Sequence, residues 1–305
     1  QLGAVSTETT SLSATEAKAT IESDAIGGEF SLGEWLSSVR RLQVNATTGE
    51  GALSDVTWKK ATLAAFIMPS ASGSGGDLSL ITEGLATPQA IAGRIDVTGK
   101  MQVEGDTLTV SDGAATISSA LLRSQQRAVI SDLAAASLES VLPSFADALR
   151  TAVDRAGQSF SVSTPWSASA TSKGVSVSLN SGAMLKAASG LALTASSTTN
   201  TPVGTFNTTD GAWTAAGNLA LQGGGAPPIT INLAKAEGTL ERIALSGAAT
   251  LRSWQVGADS MSAEFVDLDL SSDAKAGAAA GQLSIRLDGA LAGGVWKGVR
   301  ASGSV

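Results

Sequence analysis

A strict alternation of apolar and polar residues, in short runs, constrains this chain more than any other feature. In GVSVSLNSG (174–182), Val175, Val177 and Leu179 fall on one side and Ser176 and Ser178 on the other. A period of two is the mark of a strand with one buried face. ITINLAK repeats it with Ile229, Ile231 and Leu233, and GQLSIRLDG with Leu283, Ile285 and Leu287, leaving Ser284 and Arg286 outward. GLALTAS (Leu191, Leu193) and GNLALQG (Leu219, Leu221) are shorter versions. In the first half, GRIDVTGKMQVEGDTLTVSDG (93–113) carries three such runs, with turn-prone Gly99-Lys100 and Gly105-Asp106 between them. The rhythm is one strand and turn every 8–12 residues or so, as in a β-meander. MSAEFVDLDL breaks phase: Met261, Ala263 and Phe265 share a face, then Val266, Leu268 and Leu270 continue on the other. A β-bulge near Phe265–Val266 reconciles the two sets. SASGSGGD (70–77) reads as a loop.

The middle of the chain follows a different period. Val129, Ile130, Leu133 and Ala134 recur at helical spacing, and Phe145, Ala148, Leu149, Ala152, Val153 and Ala156 form one continuous stripe. Two helices are predicted within 122–157, the second opening at Pro143 or Ser144 and closing at Gly157. A helix of that length is marginal alone and needs a surface to cover. Phe145, Leu149 and Val153 are its candidates for covering or gating an apolar sheet face, the alternative being that they cap a sheet end.

Composition excludes much of the familiar chemistry. The 305 residues include no Cys, no His and no Tyr. Disulfides, thiolate or imidazole metal sites and Ser-His-Asp triads are therefore absent. A net charge of −7 without Lys/Arg runs disfavours nucleic acid and polybasic membrane anchoring. Hydrophobic residues make up 43% but aromatics only 4%, so the apolar faces are built of small and medium aliphatics. Apolar runs such as ATLAAFIMP (61–69) are too short to span a bilayer.

No motif carries catalysis. Ser272-Asp273-Ala274-Lys275 matches Ser-x-x-Lys, but the companion Ser-Asp-Asn and Lys-Thr-Gly elements are missing. Asp267, Asp269 and Asp273 lack the Gly and Glu of a calcium loop. The glycine clusters 73–76 and 223–225 have neither the Lys nor the strand-to-helix setting of a phosphate cradle. No metal and no cofactor is expected. A glycosidase using carboxylates alone stays open as a third reading, although no carboxylate pair stands out.

Two architectures satisfy the pattern: a sandwich whose sheets cover each other, or a curved sheet offering its apolar face to a ligand. From 122 onward, a helical pair with LPSFADALRTAVDRAG leads into FSVSTPWSASA, then through GAWTAAGNLALQGGGAPPITINL to GGVWKGVRASG. This order resembles the YdbH-like branch of the AsmA-like bacterial envelope proteins. The resemblance covers about the last 180 residues; the first 120 share only the strand rhythm. It implies a mainly β fold: an elongated, curved antiparallel sheet, an open groove or flattened barrel of many short strands, with a two-helix insertion. The segments expected are 1–121, 122–157 and 158–305, in one continuous unit that forms part of a longer chain.

The resemblance also implies a non-enzymatic role in phospholipid transport between membranes. It places the protein in the periplasm, held to the inner membrane through a segment elsewhere, with a small outer-membrane lipoprotein as partner. The residues mapped to the lipid-binding lining are Val175, Val177, Leu179, Leu191, Leu193, Leu219, Leu221, Ile229, Ile231, Leu233, Leu283, Ile285 and Leu287. The alternative is a structural or adhesive β-protein, a surface-layer, fibre or passenger segment, with a dry core and no lipid.

Overall fold

The computed structural model describes residues 5–7, 10–23, 39–70, 73–105, 107–140, 142–171, 173–197, 201–239, 242–273, 278–291 and 294–304. Among the described residues the fold is mainly β, a large antiparallel sheet of many strands with two helices. Two compact units divide the chain. The first comprises residues 1–123 and 161–178, the second 124–160 and 179–305. The helices therefore group with the C-terminal strands, and the segment after them returns to the N-terminal ones.

The first unit contains β1 (Val5–Thr7), β2 (Thr10–Ser23), β3 (Val39–Leu53), β4 (Val56–Trp58), β5 (Lys60–Ser70), β6 (Gly73–Ala86), β7 (Ala90–Glu104) and β8 (Thr107–Leu122). Nearly all of β9 (Phe160–Thr171) and β10 (Gly174–Leu179) also belong to it. The ladders β3–β5, β5–β6, β6–β7 and β7–β8 are all antiparallel. Directly paired residues share a face, so the register sorts the side chains. Leu63, Leu80, Val97 and Ala115 form one apolar row, and Ile67, Met101 and Val110 lie in another on the same face. Lys60, Glu83, Arg94 and Ser118 form a polar row on the opposite face. Ile67, Met101, Val103 and Val110 are the buried core here, with Leu78, Leu108 and Trp166 packed against it.

Several glycines serve packing where the sequence suggested turns. β7 runs straight through Gly99-Lys100, and the register slips by one residue between Thr98 and Lys100. A Cβ at Gly99 would strike Val110, and one at Gly113 would strike both the ring and the backbone of Trp166. Gly113 thus leaves the slot in which that ring lies, and Gly99 makes room for Val110 beside it. Gly113→Val should destabilise the first unit by about 1–3 kcal/mol, the usual cost of overpacking. A chemical denaturation midpoint equal to that of the unsubstituted chain would refute the slot. The loop expected at 70–77 is likewise mostly strand, since β5 ends at Ser70 and β6 begins at Gly73. Gly76 is required within β6 because a Cβ there would collide with the Phe66 carbonyl.

The second unit opens with α1 (Ser124–Glu139) and α2 (Pro143–Gln158). Pro143 sits in the first turn of α2, where its missing N–H costs nothing. Gly157 does not end the helix; it is buried in the last turn, and Ser159 beyond it is extended. The chain enters β9 directly at Phe160, so an extended exit replaces the left-handed glycine cap. The strands of this unit are β11 (Ala183–Ala187), β12 (Ala192–Ser196), β13 (Gly204–Asn207), β14 (Trp213–Gln222) and β15 (Ile229–Gly238). They continue with β16 (Arg242–Val256), β17 (Asp259–Asp273), β18 (Ala278–Leu291) and β19 (Gly294–Ser304). Strands of 14 and 15 residues in this series far exceed the short meander the rhythm suggested.

Candidate functional site

Ladder registers in the second unit bring most of the alternating aliphatics onto one face. Leu185 pairs with Leu193, Leu193 with Leu221, Leu221 with Ile229, Ile229 with Leu251 and Leu251 with Ala263. A second row runs from Ala195 through Leu219, Ile231, Ala249 and Phe265 to Ile285. Leu233 lies beside Gly217 and Gly247 in a third. No charged side chain interrupts these rows. The opposite face is polar: Thr194, Ala220, Thr230, Thr250, Glu264 and Arg286 pair in sequence.

The expected lining residues fare differently. Leu193, Leu219, Leu221, Ile229, Ile231, Leu233 and Ile285 share this face. Leu191, just before β12, is buried against α2. Leu179 is 44% exposed. Val175 and Val177 belong to the first unit, where Val175 is 37% exposed and Val177 is half-buried, as is Ser176. The side chains of Leu283 and Leu287 lie outside the described residues.

α2 lies over one end of the apolar face. Phe145, fully buried, packs with Leu251, Trp254, Met261 and Ala263, flanked by Leu149, Ile229, Phe265 and Ile285. Its ring meets that of Trp254 edge-on, with centroids 4.8 Å apart and planes at 68°. Further along the helix, Ala152 and Ala156 rest on Ala187, Leu191 and Ala226. Val153 is half-buried and not among these core residues. Leu219 and Ile231, one row over from Leu251 and Ala263, and Leu233, two rows over, are only half-buried.

Bulges decide which side chains reach α2. Leu251 pairs with Ala263 but Trp254 with Met261, so β16 spends three residues where β17 spends two. The extra residue turns Trp254 onto the face that simple alternation would have given to Ser253. In β17 the slip falls between Val266 and Asp269, beside the place where the sequence demanded one. Alternation alone could not have found Trp254. Met261, Ala263 and the helix partner Phe145 were legible as apolar positions, but their meeting was not.

Ion pairs knit the two helices to each other. Arg127 contacts Asp154 at 3.1 Å, and Arg150 contacts Asp132 at 3.0 Å and Glu139 at 3.3 Å. Arg150 also meets Asp147 on its own helix at 2.7 Å. Its hydrogen bond to Asp132, then the nearby carboxylates, hold the guanidinium even more firmly protonated than usual. On the polar face of the first unit, Arg94 donates to both Asp96 oxygens, at 2.8 and 2.7 Å. That bond draws the exposed Asp96 carboxyl below the ordinary range, a local surface effect with little bearing on stability.

Among the described residues, no group of three or more carboxylates could hold a metal ion. A hollow of about 480 Å³ beside Asn232, Ser246, Asp269 and Gln282 opens on the polar face. A larger one of about 1230 Å³ in the first unit is lined by Trp58, Lys59, Glu83 and Arg94 among others. Lys275 of the Ser-x-x-Lys match lies outside the described residues. No helix among the described residues is long and apolar enough to cross a membrane. No family model, curated protein or solved structure matches the chain.

Proposed function

We propose that this chain is a non-enzymatic, lipid-carrying segment of a bacterial envelope protein. It guides phospholipid acyl chains along the apolar face of its C-terminal strands, as the AsmA-like resemblance implies. One observation carries the reading: charge-free aliphatic rows cross successive strands and, beyond α2, stay half uncovered. Each methylene moved out of water gains about 0.8 kcal/mol. Aliphatics at every second residue provide that gain evenly, with no deep pocket to trap the lipid. The polar opposite face keeps the sheet one-sided. A periplasmic setting, an inner-membrane attachment elsewhere and an outer-membrane lipoprotein partner complete the proposal; it needs no cofactor.

Mass spectrometry of solvent extracts from gently purified protein tests the proposal. Phospholipid at a reproducible ratio to protein is the expected result. Its absence from repeated preparations would favour the structural or adhesive alternative and overturn the transport reading.

A further inference from the structure

We infer that the seat filled by Phe145 is itself an acyl-chain site, so that α2 and lipid compete for it; this rests on the transport reading above. The seat belongs to the same face as the aliphatic rows. Ile229 and Leu251 are direct neighbours in one row, and Leu251 and Ala263 close the seat in the same row. An acyl chain lying along Leu221 and Ile229 would meet Phe145 next.

The occupant has the chemistry of the ligand it would displace. Phe145 is apolar, fully buried and the one large side chain so enclosed among the described residues. The other buried residues of the helix are small, Ala146, Ala152, Ala156 and Gly157, and half-buried Leu149 flanks the same seat. Withdrawal of α2 would thus vacate one large apolar seat, which methylenes refill without leaving a polar group stranded. Leu142, at the entrance to α2, is non-helical (φ −137°, ψ 65°), so Phe145 sits next to the hairpin's bend. Arg127 and Arg150 bind α1 to α2 through carboxylates on the hairpin itself, and those bonds survive if the pair moves together. The seat accepts one acyl chain and releases the hairpin when it does.

The full chain is mixed with phosphatidylcholine vesicles containing a diazirine-acyl phosphatidylcholine, illuminated, and mapped by mass spectrometry. Hydrogen exchange of residues 143–158 is followed with and without vesicles. In the unsubstituted chain, lipid should label the 251–263 segment and speed exchange across 143–158. Phe145→Ala removes the competitor, and labelling of 251–263 should rise about tenfold. Labelling confined to the Leu219 and Ile231 strands, with exchange at 143–158 unchanged, would overturn the seat and leave the transport reading intact. Labelling nowhere, in either protein, would overturn both. The exchange measurement needs no substitution, so a poorly folded Phe145→Ala does not spare the inference.

Discussion

Phe145→Ala should lower the stability of the second unit by about 3–5 kcal/mol, the range for removing a buried aromatic from a core. The side chain is fully enclosed, so little of the space it leaves can be filled by relaxation. Its edge-on contact with Trp254 adds to the loss, since such aromatic pairs contribute about 0.5–1.5 kcal/mol beyond area alone. Urea denaturation monitored by far-ultraviolet circular dichroism measures it, provided the slope of the transition is unchanged. Val153→Ala, on the same helix but half-buried, should cost far less. Equal losses for the two substitutions would show that α2 is not anchored by Phe145. The substitution therefore has opposed effects: the fold is weakened while the apolar seat is opened.

Ile231→Asp should abolish retention of co-purified phospholipid, while Thr230→Asp should leave it nearly unchanged. The two positions are adjacent in β15 but face opposite ways, Ile231 between Leu219 and Ala249 and Thr230 between Ala220 and Thr250. A carboxylate on the apolar face must either keep its water, excluding the acyl chain, or lose it at a cost of several kcal/mol. On the polar face the same group stays solvated, and surface changes of this kind shift stability by only about 0.5 kcal/mol. Lipid-to-protein ratios by mass spectrometry, with matched melting curves, separate loss of binding from loss of fold. Equal retention in the two variants would mean that lipid does not travel on this face.

The period-two runs predicted the fold class because a half-buried strand can hardly be written in any other way. The residues Leu219, Leu221, Ile229, Ile231 and Leu233 needed only the alternation to be placed on one face. Helix α2 was legible from its stripe and from Pro143, and its tight seat could be anticipated in kind though not in place. Trp254 could not, because a bulge at Arg252–Ser253 overrides the local alternation and leaves no signal in composition. Gly99 misled for a related reason. Glycine marks a turn or a close approach with equal ease, and only the position of Val110 tells which.

The one-residue slips have a consequence for how such a chain changes over time. In β15 the residues facing the apolar side run Ile229, Ile231 and Leu233, then resume at Ala236 after one extra residue. β16 keeps strict step through Leu245, Gly247 and Ala249 alongside it. A bulge therefore acts as a phase corrector: an inserted residue is absorbed locally, and the face beyond it keeps its character. A sheet built this way tolerates single-residue drift in strand length while presenting the same surface, so its sequence is free to diverge faster than its chemistry.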